Sequence, residues 1–193
     1  YLENELEEVE RRRALLRGDR KRREIPTVSL VGYTNSGKST MLNALCGSDV
    51  YVQNQLFATL DPSVRRMETD SERDILLVDT VGFIKKLPHE LVEAFKSTLE
   101  EAVSSDLLIH VVDMGCDDFR ERIAIVEGIL ADIGATEGER FLVLNKADLL
   151  PPDFAPSEIS GYSRVFLTSA TEGTGLEMLR EGIISHFAKS LIM

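Results

Sequence analysis

The chain has 193 residues, of which 43% are hydrophobic and 28% charged, and its formal net charge is −11. The size suits one globular domain, and the absence of an apolar run of about 18 residues excludes a membrane span. The sequence does not start with positive charges followed by an apolar stretch, so it predicts no signal peptide. Cys46 and Cys116 form no CxxC or His-paired motif, so we expect a cytoplasmic, monomeric protein.

The first residues differ in charge from the rest of the chain. Apolar residues recur at helical spacing through residues 2–17, which predicts an amphipathic helix. The run 11–23 (RRRALLRGDRKRR) carries eight basic side chains against one acidic one. Such a run either binds the phosphate backbone of a nucleic acid or forms a solvated linker. Because Pro26 marks a boundary, we interpret residues 1–24 as a basic helical linker and residues 25–190 as the main domain.

From residue 27 onward, short apolar stretches alternate with longer amphipathic ones. This alternation is typical of a mainly parallel sheet covered by helices on both faces. We therefore predict an α/β fold with a mostly parallel six-stranded sheet, in which a ligand binds beyond the carboxyl ends of the strands. The predicted strands are 27–32, 63–68, 74–79, 107–113, 141–145 and 164–168, and the predicted helices are 38–46, 90–103, 119–133 and 175–188.

The segment GYTNSGKST, residues 32–40, follows the first predicted strand and opens the first predicted helix. It matches the phosphate-binding loop G-x-x-x-x-G-K-[ST], whose glycines let successive amide groups converge on phosphate oxygens. Lys38 is predicted to reach the β- and γ-phosphates, and the Ser39 hydroxyl to bind Mg²⁺. The alternative is a glycine-rich turn that only eases helix packing. The predicted phosphate-binding residues are Gly32, Asn35, Ser36, Gly37, Lys38, Ser39 and Thr40.

An acidic residue, Asp79, ends the third predicted strand and is followed by Thr80-Val81-Gly82. A carboxylate at this place can hold a water on Mg²⁺, although an Asp after a strand is otherwise a common helix or turn cap. The Gly82 amide can approach a γ-phosphate because no side chain obstructs it. Lys38 and Gly82 are therefore candidate catalytic groups.

The segment Asn145-Lys146-Ala147-Asp148 follows another apolar strand. Asp148 can accept hydrogen bonds from N1–H and the 2-amino group of guanine, which adenine cannot offer, and Lys146 would lay its apolar stem along the base. Such a site discriminates against a base that lacks these hydrogen-bond donors by about 10⁴-fold or more. It therefore selects GTP over ATP. After the last strand, a backbone N–H could meet the base carbonyl. The predicted base-binding residues are Asn145, Lys146, Asp148, Ser169 and Ala170.

These motifs resemble those of the translation-factor-related GTPases, and more closely those of the HflX family of ribosome-associated GTPases. The closer similarity rests on VGYTNSGKST, VQNQLFATLDPSVRR, DTVGFIKKLPHELVEAFKSTLEEA and DLLIHVVD, and it covers residues 25 to about 180. The resemblance implies a three-layer P-loop GTPase fold and Mg²⁺-dependent hydrolysis of GTP to GDP. It also implies a partly ribosome-associated protein that binds the large ribosomal subunit and its RNA, with ribosome splitting or rescue as the task.

The resemblance also assigns Thr59, in FATLDP, as the threonine that coordinates Mg²⁺ and senses the γ-phosphate, which makes it a third candidate catalytic residue. From the residues alone, Thr59 could equally be a strand or turn hydroxyl. Phe83 stands where Ras-like enzymes carry the glutamine that orients the attacking water, so we expect slow intrinsic turnover that a partner stimulates. Asn35 makes K⁺ a candidate second cation. Thr171 stands where the family commonly has a lysine, so one side chain that could lie beside the base is lost.

Three other functions share these motifs. The same machinery serves ribosome assembly or tRNA modification in related GTPases. A nucleotide-dependent interaction module with negligible turnover would also carry them, and Phe83 is its sequence hint. Finally, the basic run could simply dock on RNA. His110, within an apolar strand, is interpreted as a buried core histidine and is assigned no chemistry.

Overall fold

The computed structural model describes residues 25–47, 63–69, 74–83, 102–135, 138–151, 154 and 159–189. Its strands are β1 Thr27–Val31, β2 Ser63–Met67, β3 Ile75–Asp79, β4 Leu107–Asp113, β5 Arg140–Asn145 and β6 Arg164–Leu167. Its longer helices are α1 Lys38–Cys46, α2 Phe119–Asp132 and α3 Leu176–Lys189, and a 3₁₀ turn covers Ala147–Leu149. The predicted boundaries of these strands and helices agree with the structure to within one residue. The predicted linker 1–24 lies outside the described residues, as does most of the predicted helix 90–103.

The strands form one sheet in the order β2-β3-β1-β4-β5-β6. All neighbouring pairs are parallel except β2 and β3, which run antiparallel. A short connection joins these two strands, and short connections allow only antiparallel pairing. The prediction of a mostly parallel six-stranded α/β sheet is confirmed.

Helices cover both faces of the sheet. On one face Val28 and Leu30 of β1 belong to an apolar cluster that includes Met41 of α1 and Ile183 of α3. On the other face Val31 belongs to a second cluster that includes residues of α2. Successive side chains of a strand point to opposite faces, so a strand covered on both faces needs apolar residues throughout. Every residue of β1 and β4 is accordingly buried, and most of them are apolar.

The strand order reverses at β1. Its two neighbours in the sheet are β3 and β4, and the chain moves outward from β1 in both directions. In an open parallel sheet, such a reversal leaves a crevice at the carboxyl ends of the strands where ligands bind. The loops after β1, β3, β5 and β6, which carry the motifs described above, therefore lie along one edge of the sheet.

His110 is buried on β4, as interpreted from the sequence. Its Nδ1 lies 2.7 Å from the hydroxyl of Tyr162, which donates a 2.7 Å hydrogen bond to Glu127 on α2. Burial lowers the pKa of His110, although hydrogen bonding to Glu127 raises it. Burial alone would raise the pKa of Glu127, but hydrogen bonds from His110 and Tyr162, and the charge of Arg140, lower it to about 2. This network ties α2 to the sheet.

Within the described residues, no helix combines the length and the apolar character that crossing a membrane requires.

Candidate functional site

The loop between β1 and α1 has the curled backbone that the phosphate-loop motif predicts. Gly37, directly before α1, has φ 95°, and a Cβ atom at this position would lie 2.3 Å from Nδ2 of Asn145. Only glycine therefore fits there. Asn35 also takes the left-handed conformation, with φ 61°. Helix α1 begins directly after this turn, so the positive end of its dipole points toward the loop.

Lys38 is the first residue of α1, and its ammonium group lies inside the loop. Nζ donates hydrogen bonds of 3.3 Å to the carbonyl oxygens of Gly32 and Tyr33, and the side chain is only 6% exposed. Burial lowers the pKa of Lys38 to about 8, although the charge of Asp79 raises it. A desolvated cation of this kind gains strongly from an anionic ligand. The loop thus offers one buried positive charge beside curled backbone amides.

Two oxygen ligands for a hard cation meet next to Lys38. The Ser39 hydroxyl donates a 2.5 Å hydrogen bond to Oδ2 of Asp79, whose side chain is almost completely buried. The next residue, Thr80, donates a 2.6 Å hydrogen bond to the carbonyl of Leu30 and so fixes the end of β3 against β1. A hydroxyl and a carboxylate are the ligand types that Mg²⁺ prefers. The donor set therefore fits this ion.

The segment after β3 lies directly against the phosphate loop. The amide of Phe83 donates to the carbonyl of Gly32 (3.1 Å), and the amide of Thr34 donates to the carbonyl of Phe83 (2.7 Å). A Cβ atom at Gly82 would lie 2.7 Å from Cα of Thr34 and 3.1 Å from Nζ of Lys38. Any side chain at position 82 would thus push the two segments apart.

The side chain of Phe83 is buried in the core and is 2% exposed. It belongs to an apolar cluster formed by residues of β1, β4 and α2 together with Ala102. An aromatic ring has no hydrogen bond to offer to a water, and this ring is occupied by packing. Phe83, which stands where Ras-like enzymes carry the water-orienting glutamine, is therefore a core residue here.

Asn145, at the end of β5, connects two loops. Its Nδ2 donates to the carbonyl of Ser36 in the phosphate loop at 2.9 Å. Its Oδ1 accepts hydrogen bonds from the amide of Ala170 at 3.1 Å and from the hydroxyl of Thr168 at 3.3 Å. The side chain thus holds the phosphate loop to the segment after β6. A direct contact of Asn145 with a base stays a prediction.

The carboxylate of Asp148 is oriented by the loop that follows β6. The Ser169 hydroxyl donates a 2.5 Å hydrogen bond to its Oδ1. The same hydroxyl oxygen accepts from the amide of Glu172 and lies 3.2 Å from the hydroxyl of Thr171. The threonine that replaces the usual lysine therefore supports the serine that fixes Asp148.

A family model described as 50S ribosome-binding GTPase matches residues 27–146, which is more than half of the chain. The chain belongs to this family. The chain matches the GTPase HflX of Caldanaerobacter subterraneus subsp. tengcongensis at 53% identity and that of Escherichia coli K12 at 44%. Each alignment covers 94% of this chain but only 41% and 43% of the relative, so the chain spans about two fifths of these relatives' length. The resemblance to HflX GTPases is confirmed.

Solved structures agree with the fold. A GTP-binding protein from Sulfolobus solfataricus in complex with GDP superposes with a TM-score of 0.67 at 31% identity. The alignment covers 89% of this chain and 55% of that one. The three-layer P-loop GTPase fold is thereby confirmed.

The structure brings most of the predicted site residues of the GTPase domain to one edge of the sheet. Thr40 lies in the first turn of α1 and follows Lys38 and Ser39 in the chain. Thr59 lies outside the described residues, so its role stays a prediction. The residues brought together along this edge are Gly32, Asn35, Ser36, Gly37, Lys38, Ser39, Asp79, Gly82, Asn145, Lys146, Asp148, Ser169 and Ala170.

Sequence reasoning missed one charged residue of the GTPase domain. Asp113, at the end of β4, lies 2.6 Å from Nζ of Lys146 through its Oδ2. The signal was present, because the apolar strand LLIHVVD ends in an aspartate just as the strand before Asp79 does. Parallel strands bring such residues to the same edge of the sheet.

The lowered pKa of Lys38 predicts a proton uptake when nucleotide binds. In the empty site this pKa is about 8, and the negative charge of bound phosphates raises it, so binding above that pH requires protonation. We expect the affinity for Mg²⁺·GDP to fall as the pH rises beyond about 8. Calorimetry at about pH 8.5 in two buffers with different ionisation heats should give different binding heats, and the difference should shrink near pH 7. Equal heats in both buffers at the higher pH would contradict the assignment.

Proposed function

We propose that this chain is the nucleotide switch of a ribosome-associated protein. It binds GTP with Mg²⁺, hydrolyses the GTP to GDP, and binds the large ribosomal subunit in a nucleotide-dependent manner. The observation that supports this most directly is the buried Lys38 ammonium beside the Ser39–Asp79 oxygen pair at the mouth of a curled loop. A buried cation next to hard-cation ligands suits a Mg²⁺·phosphate ligand.

The residues of the site divide the work of binding among them. Lys38 neutralises charge on the β- and γ-phosphates, and the Gly82 amide approaches the γ-phosphate. Ser39 and Asp79 would hold the ion, Asp79 through a water. When bound, Mg²⁺ would supply positive charge to the phosphate oxygens. Thr59 is proposed as a further ligand on the basis of the family resemblance alone.

The base is read at the opposite end of the site. Asp148 accepts from guanine N1–H and the 2-amino group, and Ser169 holds its carboxylate in place by a 2.5 Å hydrogen bond. The stem of Lys146 lies along the base, and the amide of Ala170 is close enough to this loop to meet the base carbonyl. Guanine is thereby selected over adenine.

Turnover by the chain alone is proposed to be slow. Phe83 is committed to the core, so among the described residues no side chain of the segment after β3 is available to orient the attacking water. Transition-state charge stabilisation supplied by a partner can raise such a rate by about 10³- to 10⁵-fold. The large subunit is the proposed source of this stimulation, which would couple hydrolysis to the ribosome-bound state.

The ribosomal partner is supported by the family to which the chain belongs and by its HflX relatives. We propose that the protein acts on cytoplasmic ribosomes in splitting or rescue. Residues 25–190 would form the GTPase domain, and residues 1–24 a linker from a preceding region. The basic run 11–23 would contact ribosomal RNA through its phosphates, an interaction that weakens with added salt.

K⁺ is proposed as a second cation at the phosphates because of Asn35. The structure places Asn35 in the curled loop with a left-handed backbone, three residues before Lys38. A monovalent cation there would add positive charge beside the phosphates.

One assay tests the proposed function in all its parts. Multiple-turnover phosphate release from GTP should be slow for the chain alone and rise by a factor of about 10² or more with purified large subunits. Three further arms use the same assay. GTP is replaced by ATP, K⁺ is replaced by Na⁺ at matched ionic strength, and the basic side chains of residues 11–23 are replaced by glutamine. We expect no release from ATP, slower release in Na⁺ and a weaker, less salt-dependent stimulation for the last variant.

The outcomes separate the proposal from its rivals. Stimulation by the small subunit or by tRNA instead of the large subunit would favour ribosome assembly or tRNA modification. Tight GTP binding without release in any condition would favour a nucleotide-dependent interaction module, for which the burial of Phe83 is the supporting observation. Equal rates in K⁺ and Na⁺ would remove the second cation, and unchanged stimulation of the glutamine variant would reduce the basic run to a linker.

A further inference from the structure

Two residues other than glycine have a left-handed backbone in the part of the chain that the structure describes. They are Asn35 in the phosphate loop, with φ 61°, and Lys146 after β5, with φ 64°. Asparagine visits this conformation more readily than most residues with a side chain, whereas a lysine in it is uncommon. The two residues are 111 positions apart in the chain, yet Nζ of Lys146 donates a 3.0 Å hydrogen bond to the carbonyl of Asn35. The two left-handed positions are therefore tied to each other.

A third residue, Asp113, holds the ammonium group at this junction. Its Oδ2 accepts from Nζ of Lys146 at 2.6 Å, while its Oδ1 accepts from the amide of Gly115 at 2.9 Å. The hydrogen bond to Gly115 fixes the carboxylate plane. The ladder of β4 and β5 pairs Asp113 with Asn145, which places the carboxylate directly beside the strand end that carries Lys146.

The pair is not an ordinary surface ion pair. The side chain of Asp113 is 9% exposed and that of Lys146 is 29% exposed, so solvent screens their attraction only in part. Lys146 also has a second acceptor in the phosphate loop, which limits its rotation. Removing the carboxylate would leave the ammonium with a single backbone partner and more freedom to leave it.

The consequence falls on the phosphate loop. Lys146 holds the carbonyl of Asn35, and Asn145 holds the carbonyl of Ser36 at 2.9 Å. The carbonyl and the following N–H of a trans peptide point in opposite directions. Holding two consecutive carbonyls against the end of β5 therefore directs the amide of Gly37 to the opposite side of the loop. The loop is shaped for an anion by contacts that do not involve the anion.

We propose that Asp113 is a positioning residue for guanine-nucleotide binding that acts through Lys146. This proposal rests on the function proposed above. Asp113 keeps the Lys146 ammonium at the Asn35 carbonyl, so that the phosphate loop is already curled when the nucleotide arrives and stays curled while it is bound. The Asp113 carboxylate thereby connects Lys146, which lies along the base, with the loop that holds the phosphates.

The test uses Asp113→Asn with Asp117→Asn as its matched control. Asparagine keeps an oxygen for the amide of Gly115 but removes the charge that holds Lys146. Asp117 lies on the same loop, is exposed and undergoes the same charge change. We expect Asp113→Asn to raise the dissociation rate of Mg²⁺·GDP and the KM for GTP by about 5- to 20-fold, with kcat at saturation unchanged. The control should remain within about twofold of the parent chain for each quantity.

A double-mutant cycle with Lys146→Met shows whether Asp113 acts through Lys146. Methionine keeps the apolar stem beside the base and removes the ammonium. In this background Asp113→Asn should change GDP dissociation by no more than about twofold, because its target is gone. A general loss of structure would add to the Lys146→Met effect instead. Thermal unfolding of each variant accompanies the cycle, and Asp113→Ser, whose hydroxyl can still accept from Gly115, replaces Asp113→Asn if that variant does not fold.

The parent chain is measured first, so that the two proposals can fail separately. If it binds GDP tightly while Asp113→Asn binds it equally well, the positioning role is overturned and the proposed function stands. If Asp113→Asn keeps its full effect in the Lys146→Met background, action through Lys146 is overturned. If the parent chain itself binds no guanine nucleotide, the proposed function is overturned, and this proposal with it.

Discussion

Lys38→Ala should weaken the binding of GTP and GDP by at least about 100-fold. A hydrogen bond to a charged group contributes about 1.5 to 3 kcal/mol, and the ammonium is proposed to contact the β-phosphate of both nucleotides and the γ-phosphate of GTP. The remaining backbone amides cannot replace a buried positive charge. Equilibrium titration with fluorescent GDP and a GTP analogue, in the presence of Mg²⁺, measures the effect. Retained tight binding would refute the assignment of the phosphate loop.

The same substitution should not unfold the protein, and this makes its result interpretable. Because burial lowers the pKa of Lys38 from 10.5 to about 8, the unfolded chain binds this proton more tightly than the folded chain does. The charge therefore opposes folding at neutral pH, and its removal should leave the melting temperature of the nucleotide-free protein unchanged or higher. Lys38→Met, which fills the space of the stem, is the second variant. Arg66→Ala, an exposed basic residue on β2, is the matched control and should bind nucleotide normally.

Asp148→Asn should change the preferred base from guanine to xanthine. The substituted amide can donate to the 2-oxo group of xanthine, but it can no longer accept from both guanine donors. Because the polar site is satisfied only by a complementary base, we expect GDP to bind at least about 100-fold more weakly and xanthosine diphosphate to gain by a similar factor. The side-chain oxygen of asparagine can still accept from Ser169, so the loop should keep its shape. Competition titrations with GDP and xanthosine diphosphate measure the exchange.

An exposed carboxylate elsewhere provides the control for this swap. Asp132 ends α2, is exposed and can be changed to asparagine with the same loss of charge. That variant should keep the guanine preference of the parent chain. Unchanged selectivity in Asp148→Asn, measured beside it, would contradict the reading of the base by Asp148.

The burial of Phe83 links the fold to the expected kinetics. Its ring completes the apolar cluster beneath α2, while its backbone pairs with the phosphate loop. Core packing and the placement of Gly82 against Lys38 thus depend on the same residue. A glutamine at this position would lose apolar packing and leave a buried polar group in need of a partner. Slow intrinsic turnover is the proposed consequence of this arrangement.

Much of the fold could be predicted from the sequence because its signals are local. The strands are short apolar runs, since a parallel sheet covered on both faces needs apolar residues at successive positions. The segment GYTNSGKST predicts both a turn and a phosphate ligand, because its glycines can adopt backbone conformations that few other residues can. Asp79 and Asp148 could be predicted as site residues because each lies in a short motif at or just after the end of an apolar strand.

The contacts between these motifs depended on the tertiary structure. The contact of Asn145 with a base stays a prediction, but its side-chain amide joins Ser36 to Ala170, and the register of β5 in the sheet places it there. Asp113 carried no motif of its own, and its contact with Lys146 exists because β4 and β5 are neighbours. The ring of Phe83 could have faced solvent, but the packing of α2 on the sheet placed it in the core. Local chemistry determined which residues could serve a nucleotide, whereas long-range strand pairing, which no local pattern encodes, decided which of them hold one another in place.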